Sequence, residues 1–108
     1  MIELIHGDRR TGKTKRLIDD VIDGLYKRPD RKAVIIVPDA HYYTHLRHRL
    51  DDADIGALSV MLVTREHATF ALRGMEVSVY AEDVHLWPEG VYDPCLSEHR
   101  HVIATACT

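Results

Sequence analysis

The chain has 108 residues, of which 45% are hydrophobic and 29% charged, with a formal net charge of −3. This length is read as one domain with one core over residues 1–108, and the charge balance argues against a strongly basic nucleic-acid coat while leaving local basic patches open. No apolar run approaches membrane-spanning length and no secretory signal precedes the first strand, so a cytoplasmic protein with no membrane partner is expected, its Cys95 and Cys107 being free thiols rather than a metal-type pair.

Met1 stands one residue before the first predicted strand, Ile2–His6, so the fold is expected to begin where the chain begins. Gly7-Asp8-Arg9-Arg10-Thr11-Gly12-Lys13-Thr14 follows and fits the phosphate-binding pattern G-x-x-x-x-G-K-[ST]. Its glycines permit a tight turn that brings backbone N–H groups to phosphate oxygens. Lys13 would reach the terminal phosphates, and the Thr14 hydroxyl would ligate Mg²⁺. The nucleotide-binding set is therefore Gly7, Asp8, Arg9, Arg10, Thr11, Gly12, Lys13, Thr14 and Lys15. The side chains of Arg9 and Arg10 are assigned to solvent by default, with phosphates or a neighbouring subunit's acids as other partners.

A helix is predicted over Lys15–Tyr26, with Leu17, Ile18, Val21, Ile22 and Leu25 on one face and Asp19, Asp20 and Asp23 mainly on the other. Ala33–Val37 is a continuous, largely β-branched run, typical of a parallel strand buried on both faces. Pro38 ends it, and Ala40–Leu50 is predicted as a second helix with Tyr43, Leu46 and Leu50 inward. After the polar break Asp51–Gly56 come a strand over Leu58–Val63 and a short helix over Arg65–Leu72, ended by Gly74. Val77–Ala81 is a fourth strand. Pro88, Gly90 and Pro94 mark a long loop, and Val102–Ala104 is a last strand. The alternation predicts an α/β fold with a mainly parallel five-stranded sheet. No helix is predicted after the last strand, so part of the sheet is expected to be open, and self-association would cover it.

A phosphate-binding loop of this kind needs a carboxylate at the end of another strand to hold Mg²⁺, and hydrolysis adds an acid that polarises water. Val77–Ala81 ends in Glu82-Asp83, an acidic pair in the order opposite to the usual Asp-Glu. Glu82 is assigned to the metal together with Thr14, and Asp83 to the water. Lys13, Glu82 and Asp83 are thus the candidate catalytic residues, with both acids expected on the strand adjacent to that of the loop.

This order of parts resembles the RecA-like (additional-strand) branch of P-loop NTPases, and within it the first motor lobe of DNA helicases. Val34–Ala40 is similar to helicase motif Ia. Val63–Gly74, with its Thr64, His67 and Leu72-Arg73-Gly74, looks like the region before the acidic box, and Glu82-Asp83-Val84-His85 is similar to that box. The resemblance implies a three-layer RecA-like domain and ATP, or another NTP, with Mg²⁺ as ligands. It also implies a role in nucleic-acid transactions with single-stranded DNA or a DNA-processing protein as partner. Thr105 and Thr108, after the last strand, fall where such families place a polar sensor of the γ-phosphate. A second motor lobe does not fit within 108 residues, so an arginine finger is expected in trans from another subunit or partner, with Arg65, Arg73 and Arg100 as candidates. Lys13–Ile18 and the acidic box are also similar to RecA-like thymidine kinases, although Arg9-Arg10-Thr11 lacks that family's Met and Ser, and neither its zinc module nor its lasso has a counterpart. The alternatives to an ATPase are a nucleoside kinase of that type and a non-catalytic nucleotide-binding protein.

Further residues carry candidate chemistry. His41, His45 and His48 recur on the second helix and are read as a polar face rather than a metal site. His41, Tyr42 and Arg47 are candidate single-strand contacts through charge and stacking. Cys95, His99 and His101 do not share one element and are not assigned to zinc, while Trp87 is expected to pack at the sheet end.

Overall fold

The computed structural model describes residues 2–7, 12–28, 32–53, 60–71, 77–90, 93, 96 and 102–107. The strands are β1 (Ile2–Gly7), β2 (Lys32–Val37), β3 (Val60–Thr64), β4 (Val77–Ala81) and β5 (Val102–Cys107). The helices are α1 (Lys13–Lys27), α2 (Ala40–Asp52) and α3 (Arg65–Ala71), with a 3₁₀ turn at Val84–Leu86. The strands form one five-stranded sheet in the order β1-β5-β4-β2-β3, and every pairing is parallel. The fold class expected from the alternation of elements is therefore present, as a wholly parallel sheet flanked by helices.

Side-chain alternation along the strands divides the core in two. Ala33, Ile35 and Val37 of β2, Val60 and Leu62 of β3, and Tyr80 of β4 pack beneath α1 and α2. Val34, Ile36, Val79, Ala81, Val102, Ala104 and Ala106 point to the opposite face, where Ala68 of α3, Val84, Trp87 and Leu96 cover them. Such two-sided burial requires apolar residues at consecutive positions, which the run Ala33–Val37 supplies. From β1 the chain moves across the sheet to β2 and β3 through α1 and α2. It then returns to β4 and β5 with α3 and the 3₁₀ turn on the other face. Right-handed crossovers running in opposite directions demand this division.

Three expectations require correction. The acids lie at the end of β4, but β4 is not adjacent to β1, because β5 lies between them. Strand order depends on pairings between distant segments, which local periodicity does not encode. On α2, Tyr43 is 39% exposed, while Tyr42 packs beside the core with the buried Leu46 and Leu50. Leu46 and Leu50 are inward as expected, and the third member of the stripe is Tyr42, one i+4 step before Leu46, rather than Tyr43. Finally, β5 continues to Cys107, so Thr105 lies inside the last strand rather than after it. Trp87 is buried at the sheet end as expected, whereas Thr108, Arg73, Cys95, His99, Arg100 and His101 lie outside the described residues.

Candidate functional site

Because all strands are parallel, the end of β1, the start of α1, the β2–α2 connection and the Glu82-Asp83 pair gather at one edge, outside the carboxyl ends of the strands. In open parallel α/β sheets this is the edge where ligands bind. Gly7 closes β1, and Gly12 takes a left-handed conformation with φ 78° and ψ 21° as the residue that caps α1. Among the described residues beyond its chain neighbours, a Cβ added to Gly12 would meet no atom within 4 Å, so the requirement for glycine there comes from the backbone angle. The Gly12 carbonyl accepts from the Arg16 N–H at 3.0 Å and starts the helix. Asp8, Arg9, Arg10 and Thr11 lie outside the described residues.

The first helical turn presents three side chains in different settings. Lys13 is buried, Thr14 is half-buried and Lys15 is exposed. The Thr14 hydroxyl stands near enough to the Glu82 carboxyl to lower its pKa, so two residues 68 positions apart are brought together across the interposed β5. Alternation accounts for this meeting. Tyr80 of β4 and Ile103 of β5 face the α1 side, and Glu82 and Thr105, two residues further along, continue on it.

Glu82 is 3% exposed, and its backbone is fixed at both polar groups. Its N–H donates to the Ile36 carbonyl at 2.9 Å, extending the β2–β4 pairing, while its carbonyl accepts from Trp87 Nε1 at 3.2 Å. The carboxylate also accepts a short hydrogen bond from the Thr105 hydroxyl. Burial raises the pKa of Glu82 above the ordinary carboxyl range. The charge of Asp83 adds to the rise, while the Thr105 hydrogen bond, the neighbouring Thr14 hydroxyl and the charge of Arg49 oppose it.

Asp83 adopts φ 48° and ψ 55°, and it is the one non-glycine residue with positive φ among the described residues. Aspartate tolerates this region better than most residues, at a cost on the order of 1 kcal/mol. Neighbouring bonds hold it there. The Asp83 N–H donates to Thr105 Oγ1 at 2.8 Å, and the Asp83 carbonyl accepts from the Leu86 N–H at 2.9 Å. The carboxylate lies 4.0 Å from His85 Nδ1. Burial and then the neighbouring Asp83 carboxylate push the Tyr42 phenol above its ordinary pKa, with smaller contributions from Asp39 and Glu82.

Thr105 thus joins the two acids through one hydroxyl, giving its proton to Glu82 and accepting from the Asp83 backbone. The sequence reading placed Thr105 at the site but not in this bridging position. It missed the Asp39 cap that brings the first turn of α2 to this sheet edge. One available signal was Pro38-Asp39 ahead of a helical stripe, a helix-start pattern. Asp39 caps α2 by accepting from the N–H groups of His41 and Tyr42 at 3.0 and 3.1 Å, which places Tyr42 in the first turn at the same sheet edge.

The remaining candidates separate from this cluster. Arg65 forms a two-pronged ion pair with Asp93, at 2.9 and 3.2 Å, and Asp93 is fully buried. That fork commits the Arg65 guanidinium within its own chain and removes it from the candidates for a finger in trans. His41, His45 and His48 are exposed on α2, and among the described residues no group of three His, Cys, Asp or Glu could hold a metal ion. No described helix is long and apolar enough to cross a membrane.

A hydroxyl and a carboxylate side by side, next to a buried lysine, form an oxygen donor set suited to a hard divalent cation that keeps part of its water shell. The second carboxylate stands one residue further along, less buried, on a backbone whose N–H donates to Thr105. No family model matches the chain, and no curated protein matches it in sequence.

Proposed function

We propose that the chain is a RecA-like P-loop NTPase module that binds Mg-NTP, with ATP as the expected nucleotide, and hydrolyses it in nucleic-acid transactions. The observation that carries this reading is the meeting of Thr14 and Glu82, with Lys13 buried in the same helical turn. The loop pattern and the acidic pair are far apart in the chain and were assigned to one site on residue type alone. Their convergence is what the reading requires. The interposed β5 also fits the additional-strand branch that the motif order resembles.

In this reading the glycine loop and the α1 N-terminus receive the phosphates, where backbone N–H groups and the helix dipole favour negative charge. Thr14 and Glu82 hold Mg²⁺, which when bound neutralises charge on the phosphate oxygens. Lys13 balances charge on the terminal phosphates. Asp83 accepts a proton from a water whose oxygen attacks the γ-phosphorus in line, as the bond to the β,γ-bridging oxygen breaks and ADP leaves. The arginine that completes charge stabilisation comes from a second copy or a partner, and the N-terminal part of α2, with His41, Tyr42 and Arg47, is the surface offered to a single strand.

Phosphate release from Mg-ATP, measured with and without single-stranded DNA and with Lys13→Ala as the blank, tests this reading. Turnover that depends on Lys13 and increases with DNA is expected. Tight nucleotide binding without phosphate release would leave a binding module, and ADP release that requires a nucleoside would make the chain a kinase. Either result would overturn the proposal.

A further inference from the structure

β4 ends at Ala81, which is paired on both sides, and the chain leaves the sheet at Asp83 in the left-handed conformation. Glu82 stands between them, where strand pairing no longer holds both of its backbone polar groups. Its N–H still reaches the Ile36 carbonyl at 2.9 Å, but its carbonyl is taken by the Trp87 indole N–H at 3.2 Å. Trp87 is 4% exposed and packs on the sheet face opposite α1, in one cluster with Val79, Ala81, Val84 and Leu96.

The segment that carries the indole is itself braced. The Trp87 carbonyl accepts from the Gly90 N–H, and the Gly90 carbonyl accepts from the Asp93 N–H, each at 3.2 Å. The fully buried Asp93 carboxylate in turn takes the two-pronged bond from Arg65, the first residue of α3. Four successive links therefore run from the start of α3 to the Glu82 carbonyl, and the last of them is buried. A charged fork is among the stronger polar contacts, and the proposed chemistry does not otherwise use this one. We infer that Trp87 is a positioning residue for Glu82, its indole fixing the backbone from which the carboxylate reaches the metal site, with the Arg65–Asp93 fork as the remote anchor. The inference rests on the proposed NTPase function and deepens it. Rotation of the Glu82 peptide would swing its carboxylate away from the Thr105 hydroxyl, and Mg²⁺ tolerates little error in the placement of its oxygen donors.

The test titrates ATP into the wild type, Trp87→Phe and Asp93→Asn, each with and without Mg²⁺. Trp87→Phe keeps an aromatic ring in the cluster but cannot donate, and both variants keep Lys13, Thr14 and Glu82. Metal-free ATP affinity should stay within about twofold, while the gain from Mg²⁺ falls roughly tenfold in Trp87→Phe, the usual cost of losing an outer-shell partner of a metal ligand. Asp93→Asn should lose part of the same gain. Trp87 is the one tryptophan of the chain, so its indole N–H gives a single NMR signal. Asp93→Asn should shift that signal in the nucleotide-free protein, and Mg-ATP should move it further than metal-free ATP does in the wild type. A wild-type Mg²⁺ gain in folded Trp87→Phe, equal losses of ATP affinity with and without Mg²⁺, or an indole signal indifferent to Asp93→Asn and to Mg²⁺ would overturn the positioning role. Should Trp87→Phe fail to fold, Asp93→Asn and the wild-type indole signal decide the matter by the same outcomes. A wild type that binds ATP with no gain from Mg²⁺ would instead overturn the NTPase reading, and this inference with it.

Discussion

Thr105 donates to Glu82 and accepts from the Asp83 amide, so both acids are referenced to one side chain on the strand between them and the loop. Glu82 then carries a consequence for stability. Its pKa in the folded chain is raised, mainly by burial, above the value it has when unfolded. The folded state therefore keeps this proton over a pH window in which the unfolded chain has already released it. Stability from the group is fully present below the ordinary glutamate value and is lost as pH rises through the folded value. Glu82→Gln can still accept from Thr105 and has no charge to desolvate. Thermal melts across pH should show the variant more stable than wild type near neutrality, with the gap closing toward about pH 4, where the unfolded carboxyl takes up its proton. Parallel melting curves would contradict the burial-driven shift. The loop was legible from its letters and Glu82-Asp83 from the strand before it. The bridging place of Thr105 was not, because a threonine in the last strand carries no pattern until the strand order is known.

At the scale of elements, α1 is held against the sheet at a point that reverses an ordinary rule. Gly24 lies inside α1, where glycine to alanine is usually worth up to about 1 kcal/mol of added stability. Here an added Cβ would run into the Tyr80 hydroxyl, which bonds the Asp20 carbonyl at 3.3 Å. Gly24→Ala is therefore expected to destabilise the fold by about 1–3 kcal/mol, the usual cost of overpacking. Tyr80→Phe in the same background removes the obstructing oxygen and should recover most of that loss. Urea denaturation of the single and double variants measures both effects, and a stabilising Gly24→Ala would show that α1 does not approach β4 this closely. Helix and strand identities were legible because the two-sided strand β2 and the amphipathic stripe of α1 are strong local signals. On α2, Leu46 and Leu50 were legible as inward, whereas Tyr42 and Tyr43 could not be told apart, since both fit a stripe ending in those leucines. The Arg65–Asp93 fork was out of reach for another reason, because its partners lie 28 residues apart in segments without periodicity.

On the scale of the whole molecule, the parallel sheet delivers the loop, the acids and the α2 cap to one edge, with β5 as the spacer that sets the reach from Thr14 to Glu82. Strand order was the least legible property. The chain moves outward to β3 before returning, and nothing in the last strand's composition states that it inserts between the first and the fourth. Once inserted, β5 brings Thr105 to the acids, so the topology produces a contact that motif spacing could not indicate. The central claim is that Thr14 and Glu82 form the metal-holding half of a nucleotide site whose other half contains Lys13. Calorimetric titration of ATP into the wild type and Glu82→Gln, each with and without Mg²⁺, tests it most directly. The account predicts that Mg²⁺ strengthens ATP binding by the wild type, and that Glu82→Gln loses most of that gain while retaining metal-free affinity. Equal gains from Mg²⁺ in both proteins would contradict it.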